Sequence, residues 1–139
     1  MILSLKLDEL ATLSKLILEK LPNGGVVILQ GDVGAGKTTL TQNFAQALGV
    51  LESVTSPTFS LQQHYGERLF HYDMYNHDFE KFRSLGMLEE LEKIGFHLIE
   101  WGDEALKDFL KIVGFDYITI KITQISNNIR QYEVIDGHR

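Results

Sequence analysis

The most informative segment of the chain is Gly31-Asp32-Val33-Gly34-Ala35-Gly36-Lys37-Thr38. It matches the full pattern G-x-x-x-x-G-K-[ST], which is typical of loops that bind the phosphates of a nucleotide. Glycines in such a loop allow backbone conformations that a Cβ forbids, so successive N–H groups can turn towards one anion. The lysine can reach the outer phosphates, the hydroxyl of Thr38 can ligate the accompanying magnesium ion, and Thr39 is close enough for a further phosphate contact. We therefore expect a nucleoside triphosphate as the ligand.

The residues on either side of the loop have the character that this interpretation requires. Val26-Val27-Ile28-Leu29 is a short apolar run with two β-branched valines and an isoleucine, and it follows the turn residues Asn23-Gly24-Gly25. Such a run is typical of a parallel strand that is buried on both faces. After the loop, Leu40, Phe44, Ala47 and Leu48 recur at helical spacing before Gly49. This strand, loop and helix order favours a phosphate loop over a glycine turn without a ligand.

The bulk composition indicates a globular chain with one core. Its 139 residues, 44% of them hydrophobic, fit a single domain over residues 1–139. The sequence has no run of about 20 apolar residues and no signal-type segment, so we expect a cytoplasmic protein without a membrane segment. The absence of cysteine excludes disulfides, thiolate zinc sites and cysteine nucleophiles. The net charge of −6 argues against direct binding of a nucleic acid by this chain. Any RNA would therefore be bound by another subunit.

Hydrophobic spacing predicts the remaining elements. We expect a packing helix after Asp8, with Asp8 as its N-cap, and two short helices within 80–93 that are divided at Gly86. A further helix is expected over 103–110, and a second buried strand over 96–99. Two hairpins are also predicted, from 60–65 with 68–72 and from 117–125 with 129–135, the latter closing the sheet.

A triphosphate site also needs an acidic residue at a strand end, to hold the metal ion or to orient the attacking water. Asp73 and Glu100 qualify, because each follows a strand-like run; the alternative for each is an ordinary exposed acid. Trp101, the single tryptophan, is otherwise explained as a packing aromatic, and His71 as a strand histidine rather than a zinc ligand. Ser56-Pro57-Thr58 is either a plain turn or a switch segment that senses the outer phosphate.

Taken in order, four motifs resemble those of the TsaE family. They are residues 31–39, Ser56-Pro57-Thr58-Phe59, His71-Tyr72-Asp73-Met74-Tyr75 and Leu98-Ile99-Glu100-Trp101. TsaE proteins are small bacterial P-loop ATPases needed for threonylcarbamoyladenosine synthesis on tRNA, next to the anticodon. The resemblance implies an α/β fold of the P-loop NTPase type, a three-layer sandwich whose mainly parallel central sheet carries added antiparallel strands.

The resemblance also implies roles for individual residues. Thr38 and Glu100 would hold Mg²⁺, and Asp73 would act near the attacking water, with Lys37 as the second catalytic residue. Ser56, Pro57, Thr58 and Phe59 would form the switch loop, and Trp101 would lie by the metal. The phosphates of ATP would contact Lys37 and the backbone of Asp32, Val33, Gly34, Ala35, Gly36, Lys37, Thr38 and Thr39. The implied partners are the proteins TsaB and TsaD, with tRNA as an indirect partner through the complex.

One departure from the family pattern and two rival functions remain. Asn76 stands where the family commonly has arginine, and its amide cannot supply that charge, although Arg68 or Arg83 could substitute. A small-molecule kinase would share the loop and the fold class, but it usually needs an arginine-rich lid, and the sequence has no such cluster. A nucleotide-gated assembly module, in which ATP binding alone assembles the partner complex, requires the same loop and stays open.

Overall fold

The computed structural model describes residues 1–32, 34–51, 54 and 61–137. In these ranges seven strands form one sheet, in the order β1-β7-β6-β2-β5-β4-β3. The strands are β1 (Ile2–Lys6), β2 (Gly25–Gln30), β3 (Gln62–Tyr65), β4 (Leu69–Asp73), β5 (Phe96–Glu100), β6 (Tyr117–Gln124) and β7 (Ile129–Asp136). Ser60, with which we expected β3 to begin, lies outside the described residues.

The centre of the sheet is parallel. β2 pairs with β5 on one side and with β6 on the other, and β4 pairs with β5, all in the parallel sense. All five residues of β5 and the four central residues of β2 are buried, as expected of strands covered on both faces. The four parallel strands therefore bring their carboxyl ends to one edge of the sheet.

Antiparallel strands extend the sheet on both sides. β3 pairs with β4, and β7 pairs with β6, which confirms the two predicted hairpins. The prediction that the second hairpin closes the sheet is wrong, because β1 pairs antiparallel with the outer side of β7 and forms the edge. β1 was not predicted as a strand. Its half-buried and exposed positions alternate over only five residues, and only its pairing with β7 distinguishes it from an extended N-terminal segment.

Helices cover both faces of the sheet and complete the predicted three-layer arrangement. They are α1 (Leu10–Lys20), α2 (Lys37–Ala47), α3 (Phe79–Ser84), α4 (Met87–Glu90) and α5 (Glu104–Val113). Leu13 of α1 and Phe44 of α2 join the core on one face. Phe82 of α3 and Leu106 of α5 join the core on the other. Within the described ranges, none of the helices has the length and hydropathy needed to traverse a lipid bilayer.

The start of α1 differs from the prediction. Asp8 lies inside a short 3₁₀ helix, Leu7–Glu9, and is not the N-cap of α1. Glu9 takes that position without a side-chain cap, because its carboxylate instead accepts the N–H of Lys6. The predicted break at Gly86 is confirmed: Gly86 has φ +81° and separates α3 from α4.

Candidate functional site

Three of the motifs meet at the carboxyl edge of the parallel strands. Asp73 and Glu100, the last residues of β4 and β5, are register partners, and Glu100 is also the partner of Leu29 in β2. The glycine-rich loop leaves β2 immediately after Gln30 and leads into α2 at Lys37. The sheet therefore places both predicted acids beside the loop, although 26 residues lie between them in the chain.

The loop has the backbone geometry of an anion cradle. Gly34 and Gly36 have φ values of +83° and +112°, which residues with a Cβ rarely adopt. A Cβ at Gly31 would lie 2.9 Å from the carbonyl oxygen of Ile122, so the loop can approach β6 only with glycine at this position. Gly36 is the N-cap of α2 and supplies no side-chain cap, which leaves the first N–H groups of the helix for a ligand.

Lys37 folds back over its own loop. Its Nζ donates to the carbonyl oxygen of Gly31 at 2.5 Å and to that of Asp32 at 3.2 Å. Nζ also lies 4.1 Å from the centre of the Trp101 ring, an arrangement in which the aromatic face attracts the cation. Burial lowers the pKa of the Lys37 ammonium, whereas the charges of Glu100, Asp73 and Asp32 act to raise it. The ammonium is thus held among acidic groups at a site whose ligand would be an anion.

Asp73 and Trp101 are linked through Tyr75. The carboxylate of Asp73 accepts the N–H of Tyr75 at 2.9 Å, and the Tyr75 ring packs edge-on against Trp101 with centroids 5.1 Å apart. Trp101 has φ +64°, the one positive φ at a non-glycine residue in the described ranges. Such a conformation costs a bulky residue about 1–3 kcal/mol and occurs mainly at functional sites. The strained backbone holds the indole over Lys37.

Glu100 is buried and has a histidine partner. Its carboxylate oxygen Oε2 lies 2.5 Å from Nε2 of His71, and the exposed fractions of the two side chains are 5% and 0%. The interpretation of His71 as an ordinary strand histidine is therefore incomplete, because its partner is one of the predicted metal ligands.

An arginine that the sequence analysis did not select contacts the loop. Nε of Arg130, in β7, donates to the carbonyl oxygen of Ala35 at 3.1 Å. The substitutes considered for the missing family arginine lie elsewhere: Arg68 precedes β4 at the opposite end of the sheet, and Arg83 pairs with Glu80 on the exposed side of α3. Only the pairing of β7 with β6 brings Arg130 to the loop, and no sequence motif marks it.

A cleft of about 510 Å³ adjoins the loop on its β6 side. This volume is in the range of small-molecule sites. The lining residues are Gln30, Gly31, Asp32, Ala35, Lys121, Ile122, Thr123 and Gln124. No sequence motif indicated this cleft, because half of its lining comes from a strand about 90 residues after the loop.

The other predicted site residues are accounted for as follows. Thr38 is half-buried in the first turn of α2, and Thr39 beside it is exposed. Val33, Ser56, Pro57, Thr58 and Phe59 lie outside the described residues. No cluster of three or more histidine, aspartate or glutamate side chains that could enclose a metal ion occurs in the described ranges. The hydroxyl of Thr38 and the carboxylate of Glu100 are nevertheless the hard oxygen donors that Mg²⁺ prefers, and Mg²⁺ commonly needs only one or two carboxylates beside phosphate and water.

The doubly covered parallel sheet and the glycine cradle at the start of α2 define a P-loop α/β protein of the nucleotide-binding type. A family model described as "Threonylcarbamoyl adenosine biosynthesis protein TsaE" matches residues 5–132. The chain therefore belongs to the TsaE family, which confirms the resemblance seen in its motifs.

Individual relatives agree with this assignment. The tRNA threonylcarbamoyladenosine biosynthesis protein TsaE of Bacillus subtilis (strain 168) is 34% identical, over 92% of this chain and 85% of the relative. The protein of the same name from Nostoc sp. is 35% identical, over 91% of this chain and 81% of the relative. The crystal structure of Bacillus subtilis YdiB matches with a TM-score of 0.68 and 28% identity, over 99% of this chain and 88% of that one.

Proposed function

We propose that the protein binds ATP with Mg²⁺, hydrolyses it to ADP and phosphate, and thereby supports threonylcarbamoyladenosine modification of tRNA. The observation that carries the proposal is the placement of Lys37 in a glycine cradle, within electrostatic range of Asp73 and Glu100. The link to tRNA modification comes from the TsaE family, whose members are named after threonylcarbamoyladenosine biosynthesis. A cytoplasmic location follows from that role.

Each predicted site residue has a part in the proposed reaction. The loop backbone from Asp32 to Thr39, including Val33, would donate N–H groups to the phosphates. Lys37 would exchange its two carbonyl partners for the outer phosphates, a stronger, charge-assisted contact. Thr38 and Glu100 would hold Mg²⁺, which when bound supplies neutralisation of the phosphate charge.

Asp73 is the residue that we assign to the attacking water. Its carboxylate lies at the strand end next to Glu100 and would orient the water that attacks the terminal phosphorus as the bond to the ADP oxygen breaks. Trp101 would hold Lys37 in place between turnovers, because its ring already lies over the ammonium. Ser56 to Phe59 would form the loop that responds to the terminal phosphate.

The choice of nucleotide and of partners rests on further arguments. The chain lacks the N-K-x-D motif that reads guanine, which favours ATP over GTP. Its net charge of −6 is unsuited to neutralising RNA phosphates, so tRNA would be bound by TsaB and TsaD, the partners that the family implies.

One observation favours a nucleotide-gated assembly module as the second candidate. The carboxylate of Asp73 is engaged with the Tyr75 N–H, and Lys37 is engaged with loop carbonyls. Lys37 must leave the loop carbonyls to reach a phosphate, so ATP binding by itself could produce the conformational change that a partner recognises.

Steady-state ATP hydrolysis tests the proposed function. The rate of the purified protein is measured alone and then with TsaB, TsaD and tRNA from the same organism, with the K37A variant as the control for contaminating ATPases. We expect marked stimulation by the partners. A rate that the partners leave unchanged would contradict the proposed role and return attention to a small-molecule kinase.

A further inference from the structure

The contact between His71 and Glu100 links two strands below the loop. His71 lies in β4, and its register partner in β5 is Leu98, two residues before Glu100. His71 and Glu100 are therefore diagonal neighbours on the same face of the sheet, and their side chains meet at 2.5 Å between Nε2 and Oε2. Both side chains are almost completely shielded from solvent. Neither can therefore exchange this contact for a hydrogen bond to water.

The surroundings of the ring identify its tautomer. Nδ1 of His71 is buried without a hydrogen-bond partner among the described residues. A proton on Nδ1 would leave a buried donor unpaired and would point the lone pair of Nε2 at a carboxylate. A proton on Nε2 satisfies Glu100 and leaves only an unused lone pair, which is the cheaper arrangement. Nε2 is therefore the donor and Oε2 the acceptor.

We propose that His71 is a positioning residue that orients the Glu100 carboxylate for the metal ion; this rests on the proposed role of Glu100. The Nε2–H donor would fix the orientation of the carboxylate with which Glu100 would hold the metal ion. Carboxylate and histidine ligands of metals commonly depend on such outer partners, whose loss weakens metal binding about 10- to 100-fold. His71 also supplies a hydrogen-bond donor to the buried Glu100 carboxylate, whose register partner, Asp73, is itself an acid.

His97 provides a matched control in the neighbouring strand. It too is a buried histidine, but its ring lies on the opposite face, with Nδ1 2.6 Å from the Tyr72 hydroxyl and Nε2 2.8 Å from the Lys93 carbonyl oxygen. A change at His97 therefore perturbs the sheet without touching Glu100. A loss of affinity that substitutions at both histidines share is structural. A loss that occurs only with substitution of His71 acts through Glu100.

The test compares two amides at position 71. The glutamine of H71Q places an N–H donor near the position of Nε2, whereas the shorter asparagine of H71N cannot reach Oε2. Calorimetry measures the affinity for the non-hydrolysable analogue adenylyl imidodiphosphate in EDTA and in MgCl₂. The quantity compared is the gain in affinity for the analogue on going from EDTA to MgCl₂. We expect this gain to be about 10- to 100-fold smaller in H71N than in the wild type. In H71Q and H97Q we expect it to stay within about threefold of the wild-type gain.

The outcomes separate this inference from the proposed function. A wild-type affinity that does not respond to MgCl₂ would overturn the magnesium assignment itself. A wild-type response that H71N retains in full would overturn the role of His71 alone, as would an equal loss in H97Q.

A measurement on the wild type avoids dependence on the folding of H71N. Long-range ¹⁵N spectra of the histidine rings, assigned with H71Q, should show the Nε2–H form at His71. Adding MgCl₂ to the analogue-bound protein should shift the His71 signals and leave those of His97 in place. His71 signals that do not move would refute the proposal.

Discussion

At the scale of single residues, Lys37 is the charge to which we assign the binding of the outer phosphates. It is 6% exposed, and its Nζ is bound only to loop carbonyls and the Trp101 face in the described structure. We predict that K37A weakens ATP binding by about 10- to 150-fold, because a hydrogen bond to a charged group is worth about 1.5–3 kcal/mol. Calorimetry gives the affinity, with K111A as the control, since Lys111 is exposed near the end of α5. An unchanged affinity in K37A would overturn the site assignment.

A substitution of Asp73 should slow ATP hydrolysis without weakening ATP binding. In D73N the amide oxygen can still accept the Tyr75 N–H, so the local turn is kept while the charge is lost. We predict that ATP affinity stays within about threefold of the wild type and that turnover falls about 100-fold or more, the usual contribution of a group that handles the attacking water. Single-turnover hydrolysis and calorimetry together measure both quantities, with D116N as the exposed control. Wild-type turnover in D73N would eliminate Asp73 from the reaction.

The same variant distinguishes the two proposed functions. If D73N binds ATP, does not hydrolyse it and still supports full tRNA modification over many turnovers, the assembly module is favoured. If modification stops after a first round, hydrolysis is part of the cycle.

At the scale of elements, Asp103 ties two helices together next to the site. Its Oδ1 accepts the N–H of Leu106 as the N-cap of α5, and its Oδ2 accepts the N–H of Phe79 at the start of α3. Among the residues that the structure describes, Asp78 caps its own helix alone, through the N–H of Lys81. We predict that D103A lowers the free energy of unfolding by about 2 kcal/mol and D78A by about 1 kcal/mol, because a single N-cap is worth about 0.5–2 kcal/mol. Urea unfolding of both variants measures the difference, and equal losses would show that the bond to Phe79 contributes nothing.

At the scale of the whole molecule, stability should fall in acid because of His97. Burial lowers the pKa of His97, while the Lys93 carbonyl and the charge of Glu90 oppose that shift. The unfolded chain takes up this proton near pH 6.5, before the folded protein does, so the unfolded state binds more protons below that pH. We predict a loss of up to about 1.4 kcal/mol between pH 7.5 and 5.5.

The comparison with H97Q isolates this contribution. Urea unfolding at pH 7.5 and 5.5 gives the change in free energy for each protein, and the change should be smaller in H97Q, which has no group to titrate at this position. An equal pH dependence in the two proteins would exclude His97 as the source.

The parts of the fold that could be predicted were those that local patterns specify. The buried run of β2, the phosphate loop and the break at Gly86 each carry their cause within a few neighbouring residues. β1 was missed because its status as a strand depends on pairing with β7, more than 120 residues later. Asp8 was misassigned as a cap because Glu9 and Lys6 form a competing local bond.

The sequence by itself determined the α/β class, the glycine-rich loop and the family, because the P-loop pattern needs a fixed order of residue types. Only the tertiary structure decided which side chains meet there. The register of β4 and β5 joins His71 to Glu100, the pairing of β7 brings Arg130 to the loop, and β6 supplies half of the adjoining cleft. These neighbours come from distant strands, and contact between them follows from strand order and register, which no single stretch of sequence encodes.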